Sequence, residues 1–462
     1  MSAVEYSTFI ANKLSRCLPA GFDVDVVNGE LFDFQSVLTK WALRVGRCAL
    51  FEDTGLGKTR QELAWAQAVI QRHGGGVLIL APLAVAEQTV EEGRRVGIGV
   101  RHVREATPIE GICITNYERV HKFDCSELAG VVLDESSIIK HHDSRSFSQL
   151  TETFARTPYK LCATATPAPN DWTELGTHAE FLGVCSRPEM LAEFFVHDAA
   201  KTQDWRLKGH ARAAFWEWVS SWAAVVRNPA DLGFDGTRYE LPWLNVEQHT
   251  IKSEGAPIIE GNLFAMQASS LSERRAARRH TVTARVGECA ELVNATHGPW
   301  VVWCDLNVES DMLAAAIDGA IEVRGSQSLD EKESTLDAFR CGEARVIVSK
   351  PSICGFGLNW QHCANMAFVG VTDSYESYYQ AVRRCWRFGQ TKPVNVHVFA
   401  SDLEGAVVSN LKRKEEAAAQ MAEEMVSFTA AAVRRNIVGS QRSSNVYNSD
   451  QKIKLPGFIC AA

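Results

Sequence analysis

The stretch Glu52-Asp53-Thr54-Gly55-Leu56-Gly57-Lys58-Thr59 constrains this chain more than any other. It falls between an apolar strand pattern, Cys48–Phe51, and a helical pattern that begins at Arg60. Glycines there let backbone N–H groups crowd around phosphate oxygens, and the helix N-terminus behind them adds positive potential. Thr54, Gly55, Leu56 and Gly57 would form the cradle, Lys58 would bring a point charge to the β- and γ-phosphates, and Thr59 would offer its hydroxyl to Mg²⁺. The usual first glycine of G-x-x-x-x-G-K-[ST] is Glu52 here. A glycine-rich turn that binds nothing is the competing reading, and the strand–loop–helix order argues against it.

A phosphate loop needs a second strand that ends in acid. Val131-Val132-Leu133-Asp134-Glu135 provides one. Asp134 would hold Mg²⁺, and Glu135 would orient and deprotonate the attacking water. Around these two motifs, short apolar runs alternate with helical patterns, as in parallel sheets covered by helices. The first set of strands is Cys48–Phe51, Gly76–Leu80, Gly111–Thr115, Val131–Leu133 and Lys160–Ala163. The second is Trp300–Cys304, Ala320–Val323, Arg345–Val348, Met366–Val371 and Val394–Phe399. Two α/β lobes follow.

Roughly from Gly183 to Glu288 the pattern changes. This stretch holds five of the 12 tryptophans and a basic run at Arg274, Arg275, Arg278 and Arg279. Trp218 and Trp222, four apart, read as one packed helix face rather than a base-stacking platform. Beyond Ser401 the chain turns helical, and its last residues read as a loose tail. At 462 residues there is room for two or three domains. That length excludes a peptide hormone or a small disulfide-stapled module, and hydrophobic residues at 46% with charged residues at 23% argue against wholesale disorder. The 13 cysteines form no Cys-x-x-Cys or Cys/His zinc spacing, so they read as reduced, buried side chains. With no signal-peptide pattern and no apolar run near 18 residues, the expectation is a soluble, cytoplasmic protein with no membrane partner.

The order of motifs resembles a known family. Phe34-Gln35, the phosphate loop, Asp134-Glu135-Ser136-Ser137 with Lys140, and Thr164-Ala165-Thr166-Pro167 with Asn170 and Glu174-Leu175 resemble the first lobe of superfamily II helicases. Gly355-Phe356-Gly357-Leu358-Asn359 and Gln380-Ala381-Val382-Arg383-Arg384-Cys385-Trp386-Arg387-Phe388-Gly389-Gln390 resemble motifs V and VI of the second lobe. Lys140, six residues after the acidic-strand aspartate, and Glu174-Leu175 are most similar to the Swi/Snf branch of double-stranded-DNA translocases. Ser136-Ser137 and Ala165 depart from that pattern. The compact build, without chromatin-reading modules, is typical of DEAD-like helicases encoded by phage, which would put the protein in the host cytoplasm.

The resemblance implies an α/β fold of two RecA-like parallel-sheet lobes with a helical insertion between them and a helical C-terminal extension. The expected boundaries are 1–182 for the first lobe, 183–288 for the insertion or brace, 289–415 for the second lobe and 416–462 for the extension and tail. It implies an ATP hydrolase using ATP and Mg²⁺, with Lys58, Glu135, Arg384 and Arg387 catalytic. Gln35 would read the adenine edge, Gly357 would join the nucleotide site, Thr59 and Asp134 would serve the metal, and Arg384 and Arg387 would reach the γ-phosphate when the lobes close. The track would be DNA, double-stranded and bound without sequence specificity. Contacts would come from Pro82–Gln88, Thr115-Asn116-Tyr117, Thr164–Thr166, Trp303–Asn307 and Ser349-Lys350, and protein partners in replication or recombination would be possible. Two other classes stay open: an RNA or single-strand unwinding helicase, and a DNA-binding regulatory module with weak ATPase. The formal net charge of −8 does not exclude a nucleic-acid track. The acidity is concentrated in residues 1–200 and 301–340, and binding to a track would be loose and salt-sensitive.

Overall fold

The computed structural model describes residues 20–82, 85–169, 171–197, 205–252, 279, 281–354, 358–370 and 374–402. It also describes 409–410, 413–416, 419–420 and 422–428. Gly357, Asn170, Arg274, Arg275, Arg278 and the tail from 429 lie outside the described residues.

The first lobe is built on a parallel sheet. Its strands are β1 (Arg47–Glu52), β2 (Gly76–Ala81), β3 (Val100–His102), β4 (Gly111–Asn116), β5 (Gly130–Asp134) and β6 (Tyr159–Ala163). A two-stranded antiparallel ribbon, β7 (Phe195–His197) and β8 (Trp205–Leu207), follows. Then β9 (Ala223–Val226) joins the first sheet, which runs β3-β4-β2-β5-β6-β1-β9. The central strands are buried on both faces, which is why they read as unbroken apolar runs such as Gly-Val-Leu-Ile-Leu-Ala.

The second lobe holds β10 (Leu244–Ile251), β11 (Trp300–Cys304), β12 (Ala320–Val323), β13 (Val346–Ser349), β14 (Asn365–Val369) and β15 (Val394–Ser401). They form a parallel sheet in the order β10-β15-β14-β11-β13-β12. In the first lobe the phosphate loop, the acidic pair and Thr164–Pro167 lie at the C-terminal ends of β1, β5 and β6, the edge at which open α/β sheets gather ligands.

The described residues of the segment 183–288 form strands as well as helices. The helix Arg212–Trp222 is there, with Trp216, Trp218 and Trp222 buried in the core of the first lobe, as the four-residue spacing of the last two implies. It runs straight into β9, which pairs with β1 and closes the first sheet. After a short linker, β10 pairs along its whole length with β15 at the edge of the second sheet. Each lobe therefore takes a strand from a segment read as a brace. Part of the C-terminal extension is helical at residues 422–428 and docks on the first lobe. Met425 is buried in that lobe's core, and Phe428 stacks on Trp216 with 6.4 Å between ring centroids.

Beneath the second sheet, Arg285 and Glu309 form an ion pair at 2.7 Å with both side chains fully buried. Glu309 also accepts the N–H groups of Asp305 and Leu306, each at 2.9 Å.

Candidate functional site

The loop after β1 turns on two glycines with left-handed backbone, Gly55 at φ +89° and Gly57 at φ +85°. Both also lack room for a side chain. A Cβ on Gly57 would lie 2.2 Å from Gln35 Nε2, and one on Gly55 would lie 2.7 Å from Phe388 Cβ of the second lobe. Gly57 caps the helix Lys58–His73, whose first-turn N–H groups face the loop. Lys58 Nζ donates to the carbonyls of Glu52 at 2.8 Å and Asp53 at 3.2 Å, so the ammonium lies inside the loop it would help to fill with charge.

Gln35 is placed differently from expectation. Its Oε1 accepts the N–H of Phe32 at 2.9 Å, and its Nε2 donates to the carbonyl of Leu56 at 2.7 Å. One end of the buried amide braces the loop and the other caps the helix Asp33–Val45, so neither presents a free edge to a base.

The acidic strand ends where it was expected. Asp134 closes β5, and Glu135 follows in the left-handed region at φ +57°, a strained conformation for a glutamate and one that functional sites tolerate. Thr164 Oγ1 donates to Glu135 Oε2 at 3.3 Å, and Tyr117 Oη donates to the carbonyl of Asp134 at 2.7 Å. Burial, then Glu135, pushes the Asp134 carboxyl up to about 7 against the pull of Lys58 and Arg384. Glu52 is raised to about 7 by burial, with Lys58 and Gln61 opposing.

A further acid escapes sequence reading. Glu62 is buried with neither carboxylate oxygen hydrogen-bonded, and burial followed by Asp134 holds its carboxyl well above the ordinary range. Its position one helical turn after Lys58 was the available signal.

The second lobe brings its arginines to the same place. Arg384 is buried and donates to the Gln380 carbonyl at 2.9 Å, to Gln380 Oε1 at 2.8 Å and to the Leu358 carbonyl at 3.0 Å. Arg387 shares that Leu358 carbonyl at 3.1 Å. Burial, then the neighbouring Arg384, draws the Arg387 guanidinium down to about 10. Arg384 and Arg387 line a cleft of about 300 Å³ together with Thr54, Gly55, Gly57, Lys58, Thr59, Asp134 and Glu135. Arg383, by contrast, turns away to Asp53, donating at 2.8 Å and lying over the Trp386 ring. Tyr379 donates to the other Asp53 oxygen at 2.7 Å. Lys140 pairs with Glu376, so the lysine singled out in the first lobe reaches the second.

Three cationic side chains, a helix N-terminus, a hydroxyl and a carboxylate in one cleft are the donor set of a polyphosphate with a divalent cation.

The expected nucleic-acid contacts divide. Pro82 and Tyr117 line a second interlobe cleft of about 580 Å³, and Lys350 donates to Asn307 Oδ1 at 2.7 Å. Thr115, Thr164, Trp303 and Ser349 are interior: Trp303 stacks on Trp360, and Ser349 Oγ donates to the Val323 carbonyl. Those four cannot meet a track directly. Leu83 and Ala84 lie outside the described residues, and Arg279 is exposed.

Comparison with known proteins bears on the second lobe by sequence and on both lobes by fold. Residues 290–389 match the family described as helicase conserved C-terminal domain. The second lobe is similar to those of helicases. Dbp5 of S. cerevisiae, solved bound to RNA and ADP BeF3, has a similar structure: TM-score 0.54 at 11% identity, covering 85% of this chain and 93% of that one. The likeness is one of fold, two RecA-like lobes around a cleft. No curated protein matches the chain. Among the described residues no helix is long and apolar enough to cross a membrane.

Proposed function

We propose that this chain is a superfamily II ATP hydrolase that turns closure of its two lobes into movement on nucleic acid, and that its track is double-stranded DNA gripped without sequence specificity. The observation that carries the reading is the meeting, in one cleft, of Lys58, Asp134 and Glu135 from the first lobe with Arg384 and Arg387 from the second. Bound Mg²⁺-ATP would supply a γ-phosphate open to attack by water. Thr59 and Asp134 would hold the metal, and the loop N–H groups and Lys58 the phosphates. Glu135, fixed by Thr164, takes the proton of the attacking water. Arg384 and Arg387 neutralise charge that develops only with the lobes together, which ties chemistry to closure.

The choice of duplex DNA rests on the Swi/Snf-like residues. Lys140 reaches across to Glu376, so one of these residues sits on the lobe interface, where Gln380 Nε2 also reaches Thr166 Oγ1 at 3.4 Å. An RNA track is the second reading, favoured by the fold shared with an RNA-bound helicase. A phage origin, a place in the host cytoplasm and partners in replication or recombination belong to the same proposal.

ATP turnover measured with duplex DNA, single-stranded DNA and RNA separates these readings. Stimulation greatest with duplex is expected, fading as salt rises. Stimulation by RNA alone would move the track to RNA. Absence of turnover with all three would overturn the motor.

A further inference from the structure

On the outer edge of the second lobe, β10 and β15 run parallel with Glu247 opposite His397 and His249 opposite Phe399. Residues two apart on a strand share a face, so Glu247, His249 and His397 project to the same side of the sheet. His249 Nε2 lies 3.0 Å from His397 Nδ1, and His397 Nδ1 lies 3.5 Å from Glu247 Oε2. One ligand-type atom from each of the three lies within 4.8 Å of the other two.

We propose that Glu247, His249 and His397 form a site for a zinc-like divalent transition metal. Zinc bonds imidazole nitrogen and carboxylate oxygen at roughly 2.0–2.2 Å, which sets neighbouring ligand atoms of a tetrahedral complex about 3.3 Å apart. The His249–His397 and His397–Glu247 separations of 3.0 and 3.5 Å bracket that value. Two imidazoles with one carboxylate suit zinc, cobalt or nickel, whereas magnesium and calcium prefer oxygen donors alone.

The rings are already oriented. His249 stacks on Phe399, with centroids 4.4 Å apart and planes 13° apart, and His397 packs against Trp300 at 5.6 Å. Glu247 is largely exposed, which leaves a fourth position to water.

None of the three residues lines the cleft between the phosphate loop and the arginines. A metal there does something else. β10 is the first strand of the second lobe in chain order and an edge strand, held to the sheet by one neighbour, β15. A bound ion would cross-link the two strands at the point where the chain enters this lobe.

The test is titration of the full chain with Co²⁺ and Zn²⁺, followed by visible d–d absorption for cobalt and calorimetry for zinc. Wild-type protein should bind one equivalent of cobalt with an absorption that zinc displaces. His249→Ala and His397→Ala should each abolish that equivalent. Glu247→Gln, a change at an exposed side chain that spares the fold, should weaken it by about tenfold or more. Any metal held by the phosphate loop or by cysteines would bind all variants alike and so drops out of the comparison. Wild-type protein lacking the equivalent, or Glu247→Gln and the histidine variants binding as tightly as wild type, would overturn the proposal.

Discussion

Replacing Asp53 by asparagine tests what holds the two lobes together. Asp53 belongs to the phosphate loop, yet its carboxylate accepts Tyr379 Oη at 2.7 Å and Arg383 at 2.8 Å from the second lobe, besides the N–H of Thr54 at 2.7 Å. The Asp53 and Arg383 side chains are 16% and 7% exposed. Asparagine keeps the size and an oxygen for Tyr379 but removes the charge, so Arg383 stays buried without its counter-ion. Breaking one side of a buried, hydrogen-bonded charge pair costs about 2–5 kcal/mol, and an isosteric change that spares two of three hydrogen bonds belongs near about 2 kcal/mol. At 1.4 kcal/mol per decade, that moves the docked-to-undocked ratio by roughly thirtyfold.

Small-angle X-ray scattering of the nucleotide-free protein is the assay, since 13 native cysteines complicate thiol labelling. The radius of gyration should rise in Asp53→Asn and equally in Arg383→Met. The pH dependence follows from the sign of the shift. Burial pushes the Asp53 carboxyl up, but Arg383, Tyr379 and the Thr54 N–H outweigh it and hold the group below 3.8. The contact is thus fully present above that value and lost only as the pH falls through the lower folded one. An unchanged radius of gyration in both variants would refute the reasoning and leave docking to Lys140–Glu376 and Arg104–Glu333.

Three further outcomes are expected. Glu135→Gln should bind ATP as wild type does but fail to turn it over, and normal turnover, measured by phosphate release, would mean another group activates the water. Arg387→Ala should lower hydrolysis by roughly 10³-fold with little loss of nucleotide affinity; equal losses in the two measurements would make it a phosphate clamp. Glu52→Gln should raise the melting temperature at pH 8 much more than at pH 5. The folded state holds the Glu52 proton up to about 7 against an ordinary 4.5, so stability is lost as the pH climbs between these values, by roughly 3 kcal/mol at the top. A gain of the same size at both pH values would show that the carboxylate carries no such penalty.

Most strands were legible because buried parallel strands leave unbroken apolar runs closed by glycine or acid, as at β2 and β5. The misses have identifiable causes. β9 continues the helix Arg212–Trp222 without a breaking residue, and its four apolar positions carry no period that tells strand from helix. β10 lies at an edge and carries Glu247, Gln248 and His249, so it lacks the apolar signature of its neighbours.

At the site, the loop, the acidic pair and the arginine helix were all readable from local spacing. What was not readable is which partner each side chain takes. Gln35 meets the carbonyl of Leu56, 21 residues on, and Arg383 meets an aspartate 330 residues away, while Arg384 beside it does not. Those choices are made by the packing of one lobe against the other.

The linker 227–243, which joins β9 at the edge of one sheet to β10 at the edge of the other, has a kinetic consequence. Two independent proteins carrying the same half-sites would have to find each other by diffusion. A short connection replaces that search with an internal encounter at an effective concentration on the order of millimolar. In the proposed cycle, parting after each turnover would therefore be brief, and Arg384 and Arg387 would stay within reach of the phosphate loop however weakly the lobes attract. The contacts between lobes can then be tuned for timing, since the tether alone secures their reunion.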